Sequence, residues 1–205
     1  MSRAASIPVA WRCLPFEALL PRTLYALLKL RAEVFVVEQA CAFQDLDGAD
    51  ADCMHLLGEA VTPDGRPQLL AYTRLVPAGL KFAEASIGRV VTAPDTRGTG
   101  MGHALMAESV RMLHSLWGVQ PIRIGAQAHL ERFYNAHGFV SDDKPYIEDG
   151  IPHLEMLRPE APLRRFAASP PGDHALGPAE PDLRRVLNGS PSDPQTLASP
   201  SGDKT

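Results

Sequence analysis

The chain reads as an α/β (α+β) protein built on a mixed sheet with helices on its faces. Two observations carry that reading. Apolar spacing switches repeatedly between the alternation of strands and the three-and-four spacing of helices along the first 158 residues. The early strands also meander through turn chemistry, whereas the later ones are separated by helical segments, so antiparallel neighbours come first and crossovers follow.

Val9 to Leu14 is the first strand. From Arg22 the apolar residues Leu24, Leu27, Leu28, Val34 and Phe35 repeat at helical spacing, with Arg31 interrupting the same face. Gln39 to Asp52 is a loop rich in Asp and Gly. Cys53 to Ala60 and Gln68 to Val76 are strands joined by Thr62-Pro63-Asp64-Gly65-Arg66-Pro67. Pro-Asp-Gly is turn chemistry, so this pair is an antiparallel hairpin. Ser86 to Thr92 is a further strand, with Ile87, Val90 and Val91 as its apolar part. Leu105, Met106, Met112, Leu113, Leu116 and Trp117 mark a helix ending at Gly118. Ile122 to Ala126 is a short buried strand and His129 to His137 a second helix, with Gly138-Phe139 as its exit. A last strand pair falls around Phe139-Val140 and Ile151 to Leu157.

Past Arg158 the composition changes. Residues 159–205 hold nine of the chain's 19 prolines among scattered Gly and Ser, too little apolar surface to offset ordering entropy. They are expected to be a disordered tail, with Asp182 to Leu187 as a short helical piece before Asn188-Gly189. Residues 1–158 form the folded domain. The formal net charge is -4, so no global basic field draws nucleic acid, and the tail, with five basic and six acidic residues, is no polybasic arm. Cys13, Cys41 and Cys53 form neither a disulfide framework nor a four-thiolate zinc site, and Cys53 with His55 is half a metal site lacking its second half. No metal is expected. No stretch approaches the roughly 18 apolar residues of a membrane span, and the N-terminus lacks the apolar run of a secretory signal. The expected location is the cytoplasm.

The chemistry concentrates at Arg97-Gly98-Thr99-Gly100-Met101-Gly102, between a strand ending at Thr92 and a helix beginning near Gly102. Glycines there let backbone amides approach an anion, and the helix N-terminus adds about half a positive charge. A phosphate or pyrophosphate site follows. A P-loop is excluded because His103-Ala104 stands where Lys-Ser/Thr is needed. A dinucleotide fingerprint is excluded because its third glycine is replaced by His103 or Leu105, depending on the starting glycine.

The stretch from Val91 to Met106 resembles the acetyl-CoA loop of the GNAT superfamily of N-acetyltransferases, Arg/Gln-x-x-Gly-x-Gly/Ala. Phe133-Tyr134-Asn135-Ala136-His137-Gly138-Phe139 resembles that family's Tyr-x-x-x-Gly-Phe, 32 positions after Gly102. Leu30 to Gln39, Gln44 to Gly48, Gly125 to Leu130 and Glu148 to His153 resemble the ElaA-like group. The resemblance covers residues 10–158. It implies a mixed, mostly antiparallel central sheet with helices on both faces and a splayed parallel strand pair. It also implies direct transfer of an acetyl group from acetyl-CoA to the primary amine of a small molecule or peptide, without nucleic acid or membrane; a homodimer is an allowed assembly. Pantetheine would lie along Arg89, Val90, Val91 and Thr92, with the Val91 amide as oxyanion donor. The amides from Gly98 through Thr99, Gly100 and Met101 to Gly102 would take the pyrophosphate, with Arg97 nearby. Many members place Asn seven residues before the Tyr; here Gln127 stands there, a longer amide able to make similar hydrogen bonds. Tyr134 would face the departing sulfur.

An amine of pKa about 10.4 must lose a proton. Glu38, His55, His153 or a water relay are the open choices of base, set against structural readings of Glu38 pairing with Arg31, His55 satisfied in a strand and His153 lining a turn. Asp45, Asp47, Asp50 and Asp52 either attract a cationic substrate or form a solvated surface. A non-catalytic acyl-CoA sensor, and an enzyme like the acyl-homoserine-lactone synthases suggested by Leu30-Arg31 and Val34-Phe35, are the alternatives to an amine acetyltransferase.

Overall fold

The structure, a computed structural model, describes residues 8–160. The expectations for the tail lie outside the described residues from residue 161 onward.

Seven strands form one sheet in the order β1-β2-β3-β4-β5-β7-β6. They are β1 (Ala10–Pro15), β2 (Met54–Val61), β3 (Pro67–Val76), β4 (Ala85–Thr92), β5 (Ile122–Gln127), β6 (Val140–Glu148) and β7 (Ile151–Arg158). The helices are α1 (Pro21–Arg31), α2 (Met101–Trp117) and the short α3 (Glu131–Asn135). The expected hairpin is β2–β3, antiparallel from Met54↔Leu75 to Val61↔Pro67. Among the described residues the one parallel pair is β4–β5, and it is registered only at Ala85↔Ile122 and Ser86↔Arg123 before the strands part. Strand β6 runs well beyond the Phe139-Val140 expected. As an edge strand with one neighbour it tolerates the polar run Asp142-Asp143-Lys144 and Pro145, which mask its pattern.

Both faces are covered. Leu105, Met106 and Leu113 turn the buried side of α2 to the sheet, and the larger core gathers Met106 and Leu113 with Leu75, Ile87, Ile122, Ile124 and Phe139. On the other face Leu27, Leu30 and Val34, at helical spacing, pack on Leu57, Tyr72 and Val91. Full burial of each such side chain contributes roughly 1.5–3 kcal/mol. Pro21 opens α1, where its missing N–H costs nothing, and Gly118 at φ 80 closes α2.

Strand β4 carries a bulge. Arg74 pairs with Gly88 but Tyr72 with Val91, so Thr73 faces both Arg89 and Val90, and Arg89 takes φ 53. The extra residue reverses the alternation: Ile87 faces the α2 side, whereas Val91, four positions on, faces the α1 side.

Three of the four acidic-loop carboxylates are neither an open attractor for cations nor a solvated run; the fourth, Asp52, is exposed. Asp45, Asp47 and Asp50 are matched by Arg31, Arg74 and Arg89 in one ion network at 2.6–3.2 Å. Arg31 interrupts its apolar face because its fully buried guanidinium reaches Asp45 and Asp50, and not Glu38. The fork of Arg74 holds the Asp47 carboxyl far below its ordinary range. Burial pushes the Asp50 carboxyl up, but hydrogen bonds from Arg31 and Arg74 outweigh it and its pKa is lowered. A carboxylate depressed on folding contributes stability above its unfolded pKa of about 3.9 and loses it as pH falls toward the folded value. Asp47→Asn is therefore expected to be less stable than the parent at pH 7, and the difference should shrink below about pH 4. Urea unfolding across that range measures it; a pH-independent difference would contradict the network's role.

Candidate active site

The parting of β4 and β5 opens a cavity of about 960 Å³. Val90, Val91, Thr92, Arg97 and Gly102 line one wall and Gln127, Phe133 and Tyr134 another. Glu38 and Gln39, at the end of the π-helical turn Ala32–Glu38, and His153 of β7 close the far side.

The backbone of β4 settles which amides are free. Ala93 N–H donates to the Leu70 carbonyl at 2.8 Å. Alternation then turns the Val91 amide to β3, opposite its register partner Tyr72, and presents the amides of Val90 and Thr92 to the open edge. This corrects the expectation for Val91: its side chain packs in the core and its N–H belongs to the sheet.

On the glycine loop, Gly98 has φ 73 and Gly100 φ 91. A Cβ added at either would meet nothing within 4 Å, so these glycines serve backbone angle and open approach rather than internal packing. Thr96 Oγ1 donates to the Ala93 carbonyl at 2.8 Å and Thr99 Oγ1 to the Thr96 carbonyl at 2.6 Å, tying the loop to the end of β4. Gly100 is the N-cap of α2, so the first amides of a 17-residue helix point outward without intrahelical partners. Amides so presented at a helix N-terminus can take an anion of the size of a pyrophosphate. Gly102 and Arg97 line the cavity; Gly98, Thr99, Gly100 and Met101 stand on the same loop outside its lining. Arg97 holds Glu38 through both terminal guanidinium nitrogens at 2.7 and 2.8 Å, so Glu38 has a partner 59 residues away rather than Arg31.

Tyr134 is 7% exposed and turns toward the cavity from α3, edge-on to Phe133 and Phe139. Burial pushes its phenol up to about 12, which keeps it protonated and a donor. Gln127 Nε2 donates to Gln39 Oε1 at 3.1 Å, spanning the gap. His153 Nδ1 lies 2.8 Å from the Ile151 carbonyl, which only accepts, so Nδ1 carries the proton and Nε2 is the basic nitrogen. Glu148 Oε2 is 3.9 Å from that Nε2.

His55 is set apart from these residues. It is fully buried; Nε2–H donates to the Asp50 carbonyl at 3.0 Å and Nδ1 accepts from the Tyr72 hydroxyl at 2.9 Å. Burial lowers its pKa, and it lies outside the cavity lining. The proposed base is corrected to a neutral, satisfied strand histidine. Tyr146 was not singled out from the sequence. Its hydroxyl occupies the place a Cβ of Gly125 would take, and its ring stacks on His153 at 5.5 Å. The available signal was a glycine inside a buried strand, which marks close approach.

Residues 65–158 match the family model of the acetyltransferase (GNAT) domain. Protein ElaA of Escherichia coli is 40% identical over 152 residues, spanning 73% of this chain and 96% of that protein. Its crystal structure superposes with a TM-score of 0.66 at 39% identity, covering 74% of this chain and 99% of that one. The crystal structure of an acyl-CoA N-acyltransferase from Pseudomonas aeruginosa gives 0.64 at 43% identity, covering 73% and 99%. Splayed sheet, glycine cradle and sequence likeness agree: the chain belongs to the GNAT superfamily of acetyltransferases, in its ElaA-like group.

Proposed function

We propose that the protein moves an acetyl group from acetyl-CoA to a primary amine by direct transfer in a ternary complex, with residues 1–158 carrying the activity. The observation that carries this reading is the convergence of the free β4 amides, the Tyr134 side chain and, through Arg97 and Gly102, the glycine loop on one gap between β4 and β5.

Acetyl-CoA supplies the activated thioester. The amides of Val90 and Thr92 are placed to receive its carbonyl oxygen as negative charge develops there. The acceptor nitrogen attacks the carbonyl carbon, the C–N bond forms as the C–S bond breaks, and Tyr134 donates a hydrogen bond to the leaving thiolate. Of the two candidate bases that remain, His153 leaves its Nε2 without a hydrogen bond among the described residues, and an imidazole is a stronger base than the Glu38 carboxylate. His153 therefore takes the amine's proton, directly or through water, oriented by the Ile151 carbonyl and by stacking on Tyr146.

The test measures CoA release over a panel of primary amines, beside acetyl-CoA binding measured alone. Turnover with at least one amine, yielding an N-acetylated product by mass spectrometry, is expected. Tight acetyl-CoA binding with no amine-dependent release would favour an acyl-CoA sensor instead.

A further inference from the structure

Three side chains of the short segment at the end of the π-helical turn reach three different walls of the cavity. Glu38 pairs with Arg97 on the glycine loop, Gln39 accepts from Gln127 on β5, and the Cys41 thiol donates to the Asp149 carbonyl at the β6–β7 turn at 3.4 Å. Between them Ala40 takes φ 48, a left-handed angle that a non-glycine residue adopts only when its surroundings hold it. Residues 38–41 are thus a strap across the gap, tied at three points.

The three ties are not alike. Only Glu38–Arg97 is ionic, and both its side chains are more than two-fifths exposed (44% and 42%), so holding it contributes little and breaking it costs little. Its geometry is a two-pronged guanidinium–carboxylate pair, the same fork that binds a phosphate. Arg97 stands at the start of the loop whose amides can take a pyrophosphate. Glu38 has no other cationic partner among the described residues, and it lines the cavity.

We propose that Arg97 exchanges Glu38 for the incoming pyrophosphate, and that the released Glu38 carboxylate becomes a binding site for the acceptor's primary ammonium. The inference rests on the reading that the pyrophosphate sits on the glycine loop. It makes the cation site conditional: in the free protein Arg97 masks it and holds the Glu38 carboxyl below its ordinary range. Once Arg97 turns to the phosphates, an uncompensated carboxylate faces the cavity one residue from the Gln39–Gln127 tie.

Calorimetric titration of the full chain with coenzyme A and with pantetheine, which lacks the pyrophosphate, tests the exchange. Glu38→Gln should bind coenzyme A about 2- to 5-fold more tightly than the parent, the span expected for an exposed ion pair removed as a competitor. Pantetheine affinity should not change, and in an Arg97→Gln background Glu38→Gln should have no effect on coenzyme A. In the ¹⁵N-labelled protein, n-butylammonium should shift the amides of residues 38–41 only when coenzyme A is present, and not in Glu38→Gln. Equal coenzyme A affinity in the parent and Glu38→Gln, or ammonium shifts without coenzyme A, would overturn the exchange while leaving the cofactor reading intact. Absence of coenzyme A binding to the parent would remove both.

Discussion

Gly100→Val is expected to give a folded chain that no longer binds acetyl-CoA measurably. Gly100 takes φ 91 as the N-cap of α2, an angle a β-branched residue adopts only with strain. An added Cβ meets no protein atom within 4 Å, so the core does not suffer; the side chain projects into the open cradle where the anion belongs. Shifting the loop to relieve strain also misdirects the first amides of α2. Losing two charge-assisted hydrogen bonds, at about 1.5–3 kcal/mol each, lowers affinity about 150-fold or more. Circular dichroism beside calorimetric titration reads both quantities. Parent-like affinity in a folded variant would take the loop out of the site.

Tyr134→Phe should lower kcat while barely altering acetyl-CoA affinity. An ordinary phenol at about 10 already lies above a thiol at about 8.5, and burial pushes this one further up, so full proton transfer to the thiolate is uphill. Tyr134 therefore acts as a hydrogen-bond donor that stays protonated, not as an acid that gives its proton up. Such a bond to a charged group contributes about 1.5–3 kcal/mol, which is about a 10- to 150-fold fall in kcat. An obligatory acid would cost up to about 10⁴-fold. A purely packing role would leave turnover unchanged and lower the melting temperature. Measuring kcat, acetyl-CoA affinity and melting temperature together separates the three.

Local chemistry made much of this legible in the sequence. Pro-Asp-Gly specifies the β2–β3 hairpin, Gly118 stops α2, and Gly98 and Gly100 mark a strand-to-helix loop with left-handed backbone. What escaped the sequence is non-local. The bulge at Arg89 is defined only by register against β3; Arg89-Val90-Val91 itself reads as ordinary strand, and so Val91 was assigned an amide direction that belongs to its neighbours. Arg31 looked like a flaw in an apolar face because its partners lie 14 and 19 residues away in a loop that reads as solvated. His55 and His153 are equivalent as letters; burial and the partner of each ring nitrogen separate a satisfied histidine from one with a free lone pair. The placing of β7 between β5 and β6 decides which turn overlooks the cavity, and no single strand's pattern encodes it.

The most direct measurement is a crystal structure of the protein with acetyl-CoA bound. The account predicts the pyrophosphate within hydrogen-bond distance of amides between Gly98 and Gly102, the thioester oxygen on the free amides of β4, and the sulfur beside the Tyr134 hydroxyl. A pyrophosphate bound away from the glycine loop, or a sulfur beyond reach of Tyr134, would contradict it.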